Sequence, residues 1–187
     1  MAIYDLFFQY QVRGMITGIE VTIDKKLHHL SALALSAYTE VMGGLVTGNL
    51  KKKGYSRKNY EAFLPYLGDK YVDLNNQLKS RKTSLHEMVR NKLVHEFSPR
   101  PSYGIFISES EQEKIGIEVN FDQNQIPILI IGVREYYRDF KNGTEKYYDD
   151  LEISASQPPF SEGHILFDNF CNAVVDRSAV EQASKSQ

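Results

Sequence analysis

The chain has 187 residues, a formal net charge of −2 and a single cysteine, Cys171. A domain of that length buries about two-thirds of its unfolded surface, and one cysteine cannot form an internal disulfide, so a staple-free core in a reducing, cytoplasmic setting is expected. The absence of an uninterrupted apolar run of about 18 residues, and of a basic-then-apolar leader, speaks against a membrane span and a secretory signal.

The charge is unevenly distributed. Residues 1–100 carry 15 Lys+Arg against 9 Asp+Glu, a balance of +6, whereas residues 101–187 carry 7 against 15, a balance of −8. A phosphate-bearing partner would be drawn to the first half, although a solvated basic surface gives the same counts.

Taken in chain order, the apolar positions from Tyr4 to Lys26 recur at spacings of three and four, which predicts one long helix or two halves with Gly14 and Gly18 as weak points. Leu27 to Val46 places Leu30, Leu33, Ala34, Ala37, Tyr38, Val41 and Leu45 on one face of a central helix. Its Gly43 and Gly44 would let a neighbouring helix approach closely. Leu50 to Tyr55 then reads as an exposed basic loop, with Ser56 as N-cap of a helix ending at Gly68 and Asp69 opening another through Lys79. After a second basic loop at Lys79, Arg81 and Lys82, Ser84 and Glu87 form the S-x-x-E spacing of a capping box. The helix they open runs to Phe97, because Pro99 biases Ser98 away from helical dihedrals.

From Tyr103 the period changes to that of strands: Tyr103–Ser108, Ile115–Phe121 and the continuous apolar run Ile126–Val133, the last covered on both faces. A helix follows from Val133 to Leu151, with a kink or break expected at Asn142-Gly143, and a closing helix begins after Ser161. The expected fold is α+β and mainly α. An antiparallel helical bundle over residues 1–100, a three-stranded antiparallel β-meander over 101–133 and two C-terminal helices over 134–178 make a single domain 1–180, with a frayed tail at 180–187.

Several features fail as chemistry. Gly43 to Lys51 has the glycines of a phosphate loop but follows a helix and lacks G-K-[ST]. His28 and His29 are adjacent, so on a helix they diverge by about 100° and read as a surface pair rather than metal ligands. His164 reads as an exposed residue in a first helical turn. The tyrosines of the Val133 helix have core spacing rather than that of a base-stacking platform.

The helix from Ser84 to Phe97 is different. At about 100° per residue, Leu85, Met88, Val89 and Leu93 cluster as a core stripe, while Glu87, Arg90, Asn91 and Val94 fall on the opposite arc with His95 at its edge. A valine amid that polar arc suits a subunit contact, so a homodimer through the Arg90/Val94 face is expected. Arg90 and His95 lie about 140° and roughly 7.5 Å apart in a regular helix and meet one ligand only if the helix end unwinds or a second protomer converges on it. The bland reading is that Glu87 pairs with Arg90 at i,i+3 and that His95 serves the helix C-terminus.

The sequence Arg90-Asn91-x-x-x-His95 near the end of an amphipathic helix resembles the signature of the HEPN superfamily, over roughly residues 27–97. Tyr66-Leu67-Gly68-Asp69-Lys70-Tyr71 and Leu93-Val94-His95-Glu96-Phe97 are also similar to small bacterial proteins, a likeness that brings no function with it. The HEPN resemblance implies cofactor-free, metal-independent cleavage of RNA by attack of a 2′-OH on the adjacent phosphate. His95 would be general acid or base, Arg90 the charge on the transition-state oxygens and Asn91 an orienting amide, with Lys92, Arg100 and Glu87 as accompanying substrate-binding candidates. It equally allows a non-catalytic dimerisation or nucleotide-binding module, which the −8 second half would suit because it repels RNA.

Overall fold

The computed structural model describes residues 2–91, 93, 104–108, 116–123 and 127–174. They form a mainly helical molecule with one small sheet. The N-terminal pattern becomes helix α1 (Ile3–Phe7), a π turn (Phe8–Val12) and helix α2 (Arg13–Asp24). Phe8 and Val12, at the joins, keep right-handed helical dihedrals, so the two halves are one continuous helix widened in the middle.

Helix α3 (His28–Thr47) is the element the others surround: it packs against α2, α4 (Ser56–Leu67), α6 (Val133–Ala155) and α7 (Ile165–Val174). It is the one described segment with the length and apolarity of a membrane span, and here it is the core helix. Its buried stripe is rotated from the apolar face expected from sequence. Leu30 is 50% exposed, while Ala32, Leu35, Ser36, Thr39 and Met42 are fully buried. Hydrogen bonding explains the shift. Thr39 Oγ1 donates to Leu35 O at 2.8 Å and sits 2.8 Å from the Tyr136 hydroxyl, so a polar residue is satisfied inside and apolarity alone misjudges the phase. The expected close approach is present: a Cβ on Gly43 would lie 1.6 Å from the Asn59 carbonyl oxygen of α4, an impossible contact.

Ser56 is the first residue of α4 rather than its cap, which falls on Tyr55 without a side-chain hydrogen bond. Gly68, at φ +120°, joins α4 directly to α5 (Asp69–Ser80), a conformation glycine adopts without strain.

The strands are β1 (Gly104–Ser108), β2 (Ile117–Phe121) and β3 (Pro127–Gly132), in the order β1-β3-β2. The antiparallel meander expected from sequence is therefore corrected. β3 is central, parallel to β1 (Phe106 opposite Ile130) and antiparallel to β2 (Val119 opposite Leu129). β3 has partners on both edges; its Leu129/Ile131 face is fully buried, whereas Ile128 and Ile130 on the other face are half-buried, so the cover expected on both faces is complete on one. β2, with half-buried Glu118 and exposed Asn120, suits an edge. The connection from β1 to β3 is long enough for parallel pairing because β2 lies within it.

Helix α6 runs unbroken through Asn142-Gly143, against the kink expected there. Gly143 is a packing glycine: a Cβ would lie 2.8 Å from the Tyr66 carbonyl oxygen, so α4 and α6 touch backbone to side at that point. The tyrosines of α6 belong to the core, with Tyr136 and Tyr147 fully buried. His164 is buried, not exposed; its Nδ1 lies 3.0 Å from Asp168 Oδ1 and its ring packs on Phe167.

Candidate functional site

The helix that carries Arg90 begins where two side chains replace missing helical partners. Asn75 Oδ1, on α5, accepts from the Leu85 backbone N–H at 3.0 Å, and Ser84 Oγ accepts from the Glu87 N–H at 3.2 Å. The second is the expected cap. The Glu87 carboxylate does not close the box backwards but accepts from the Thr83 hydroxyl at 3.2 Å. These bonds satisfy donors that the first turn of any helix leaves open.

From Glu87 to Asn91 the backbone is a π-helix. The expected core stripe is in place: Leu85, Met88, Val89 and Leu93 are each at most 1% exposed. Glu87 lies at the surface, its carboxylate 3.6 Å from Arg57 Nη1 of α4. Arg57 also pairs with Glu61 at 2.9 Å, and Lys79 of α5 reaches Glu61 at 2.7 Å. Burial alone would raise the Glu61 pKa, but the two cations outweigh it and hold the carboxyl below its ordinary value. One end of α4, the end of α5 and the start of the Arg90 helix are thereby tied together.

Of the sequence-stated candidates, Glu87 is placed in that network, and Arg90 and Asn91 occupy the last two backbone positions of the π-helix. Lys92, Val94, His95 and Arg100 lie outside the described residues, so the geometry of the full set is not brought together here. Among the described residues no group of three or more His, Cys, Asp or Glu side chains is placed to hold a metal ion.

Sequence reasoning passed over His86. It is buried at 7% exposure, its Nε2 is 3.8 Å from a Glu40 carboxylate oxygen of α3, and its ring meets Tyr60 edge-on at 5.6 Å. The signal was available, because at about 100° per residue His86 falls about 20° from Leu93 and so beside the core stripe. Behind it lies a chain of buried hydroxyls. Tyr60 OH is 3.2 Å from Tyr136 OH, which is 2.8 Å from Thr39 Oγ1. Because Thr39 donates to Leu35 O, a consistent proton order runs from Tyr60 to Tyr136 to Thr39. Burial pushes the Tyr136 hydroxyl up to about 12 and that of Tyr60 well above its ordinary value. Tyr71, which donates to Asp139 at 2.7 Å, is likewise raised by burial and then by that carboxylate. These groups stay protonated near neutrality and serve as hydrogen-bond donors rather than proton acceptors.

A groove of about 720 Å³ runs between α1–α2 and α6. Its polar rim has Asp5, Glu20, Glu145 and Asp149 against Arg13 and Lys141, a balance that disfavours a polyanion. Asp5 and Glu20 accept from the hydroxyls of Tyr148 and Tyr137, which ties the groove walls together.

Compared with protein-family models, curated proteins and solved structures, the chain matches none of them.

Proposed function

We propose that the chain is a HEPN-like endoribonuclease that cleaves RNA without a metal, by attack of a 2′-OH on the neighbouring phosphate. His95 moves the proton, Arg90 neutralises charge on the phosphoryl oxygens with its fork of donors, and Asn91 orients the phosphate or the imidazole. Glu87, Lys92 and Arg100 are the accompanying substrate-binding residues.

The observation that supports this reading is the anchoring of the motif helix. The four apolar residues expected to hold it are fully buried, and its first turn is capped from α5 and from Ser84. A reactive Arg-Asn pair on a rigid support is what preorganised charge stabilisation requires. The π turn adds to this. Its hydrogen bonds link residues five apart, and such turns collect at functional sites.

One histidine cannot be acid and base in the same step, so a homodimer that pools two motifs across the Arg90/Val94 face is part of the proposal. Light scattering is expected to give a dimer mass for the wild type and a monomer mass for Val94→Arg; a wild-type monomer would exclude the shared site. The enzymatic test is cleavage of single-stranded RNA in excess EDTA. Arg90→Ala and His95→Ala are each expected to lose about 100-fold or more in rate. Activity that survives in both, or that EDTA abolishes, rules the mechanism out.

A further inference from the structure

Between Glu40 and Glu61 the chain has no acidic residue and five cations: Lys51, Lys52, Lys53, Arg57 and Lys58. Arg57 is taken up by Glu61 and Glu87, whereas the four lysines have no carboxylate partner among the described residues. All four are exposed, on the loop after α3 and the first turn of α4. Tyr55 stands among them. Its ring centre is 5.7 Å from Lys52 Nζ and 5.0 Å from Lys58 Nζ, so the ammonium groups are held around an aromatic surface.

Lys52 also borders a recess of about 370 Å³, whose other polar side chains are Thr47, Asn49, Asn169 and Asn172. Asn169 Nδ2 donates to Val46 O at 2.9 Å, which fixes that carboxamide and leaves its oxygen as an acceptor. Gly48, at φ +68°, lines the recess from the end of α3, and a Cβ there would come within 3.1 Å of Asn169 Oδ1. A carboxamide offers a donor and an acceptor side by side, the pattern that the edge of a base presents in return. Lysines without carboxylate partners, a half-buried tyrosine and an amide-lined recess thus share one residue, Lys52.

We propose that this loop and recess are a subsite for single-stranded RNA, in which Lys51, Lys52, Lys53 and Lys58 hold phosphates, Tyr55 stacks one base and the recess takes the edge of the next. Only an unpaired base can enter such a recess or lie on such a ring, which selects single strands over duplex. The choice of RNA rests on the ribonuclease reading above. The Arg57–Glu87 pair joins the start of α4 to the helix that carries Arg90, so a strand held on the loop has that helix as its neighbour.

The test is fluorescence anisotropy of the full-length chain with a labelled 2′-O-methyl RNA of about a dozen nucleotides, which binds but cannot undergo 2′-OH attack, measured over a salt series. Replacing Lys51, Lys52 and Lys53 together by Gln is expected to weaken binding about tenfold or more and to flatten the log–log salt slope by about 2, near 0.7 for each phosphate contact. Tyr55→Leu is expected to weaken binding about fivefold or more with the slope unchanged, and Tyr55→Phe to retain it. Circular dichroism melts confirm that each variant is folded. No wild-type binding, unchanged affinity and slope in the triple variant, or equal competition by duplex RNA would each overturn the proposal. The two readings fail separately. Loop-dependent binding without cleavage of unmodified RNA removes the ribonuclease and keeps the subsite; cleavage with KM unchanged in the loop variants removes the subsite alone.

Discussion

Four buried tyrosines make the interior sensitive to alkali. Tyr60, Tyr71, Tyr136 and Tyr147 have hydroxyls whose ionisation burial disfavours, so each pKa is higher in the folded chain than the ordinary value of about 10. The folded state then holds protons that the unfolded state releases. Their contribution is fully present below pH 10 and is lost as pH rises from about 10 toward the folded values, at about 1.4 kcal/mol per pH unit for each tyrosine. Unfolding above pH 10 should therefore coincide with the rise in tyrosinate absorbance. Ionisation of all 12 tyrosines in a chain that keeps its circular dichroism spectrum would contradict this assignment. Asp5 behaves oppositely. The hydrogen bond from Tyr148, then that from the Ala2 N–H, hold its pKa below the usual carboxylate range, so its contribution is lost only as pH falls through that lowered value.

At the scale of elements, the Arg90 helix depends on a partner from α5. Asn75 is buried and its oxygen satisfies the Leu85 N–H, so Asn75→Ala leaves a buried donor open and should cost about 1–3 kcal/mol in urea unfolding. Asn75→Asp, which keeps an acceptor, should cost less; equal losses would show that packing rather than the hydrogen bond matters. Such dependence was not legible in the sequence, because Asn75 and Leu85 are ten residues apart and belong to different elements. What was legible is local. The stripe Leu85, Met88, Val89, Leu93 and the Ser84 cap follow from spacing alone, and both are present. The reading failed where tertiary contacts decide. The Asn142-Gly143 pair has the composition of a break, yet its glycine is used for close approach to Tyr66. The face of α3 is set by hydroxyl hydrogen bonding that hydropathy does not register.

For the molecule as a whole, the class of mainly helical chain with a small sheet was readable from the change of period near Tyr103, while the order of the strands was not. The apolar run Ile128 to Ile131 marked β3 as a strand that takes the centre, although only its Leu129/Ile131 face is fully buried and Ile128 and Ile130 on the other face are half-buried. Charge is likewise arranged at this scale. The acid-rimmed groove lies along α1–α2 and α6, and the lysines that have no carboxylate partner among the described residues lie on the loop after α3 and the first turn of α4, at the end of α4 that Arg57 ties to Glu87 of the motif helix. The −8 of the second half therefore does not by itself exclude RNA from the basic half. The central claim is chemical, and the chemistry of the product end tests it most directly. Incubated with a single-stranded RNA in EDTA, the wild-type chain should leave 5′ fragments that end in a 2′,3′-cyclic phosphate by mass spectrometry, and His95→Ala should leave none. Intact RNA, or fragments ending in a free 3′-hydroxyl, would contradict it.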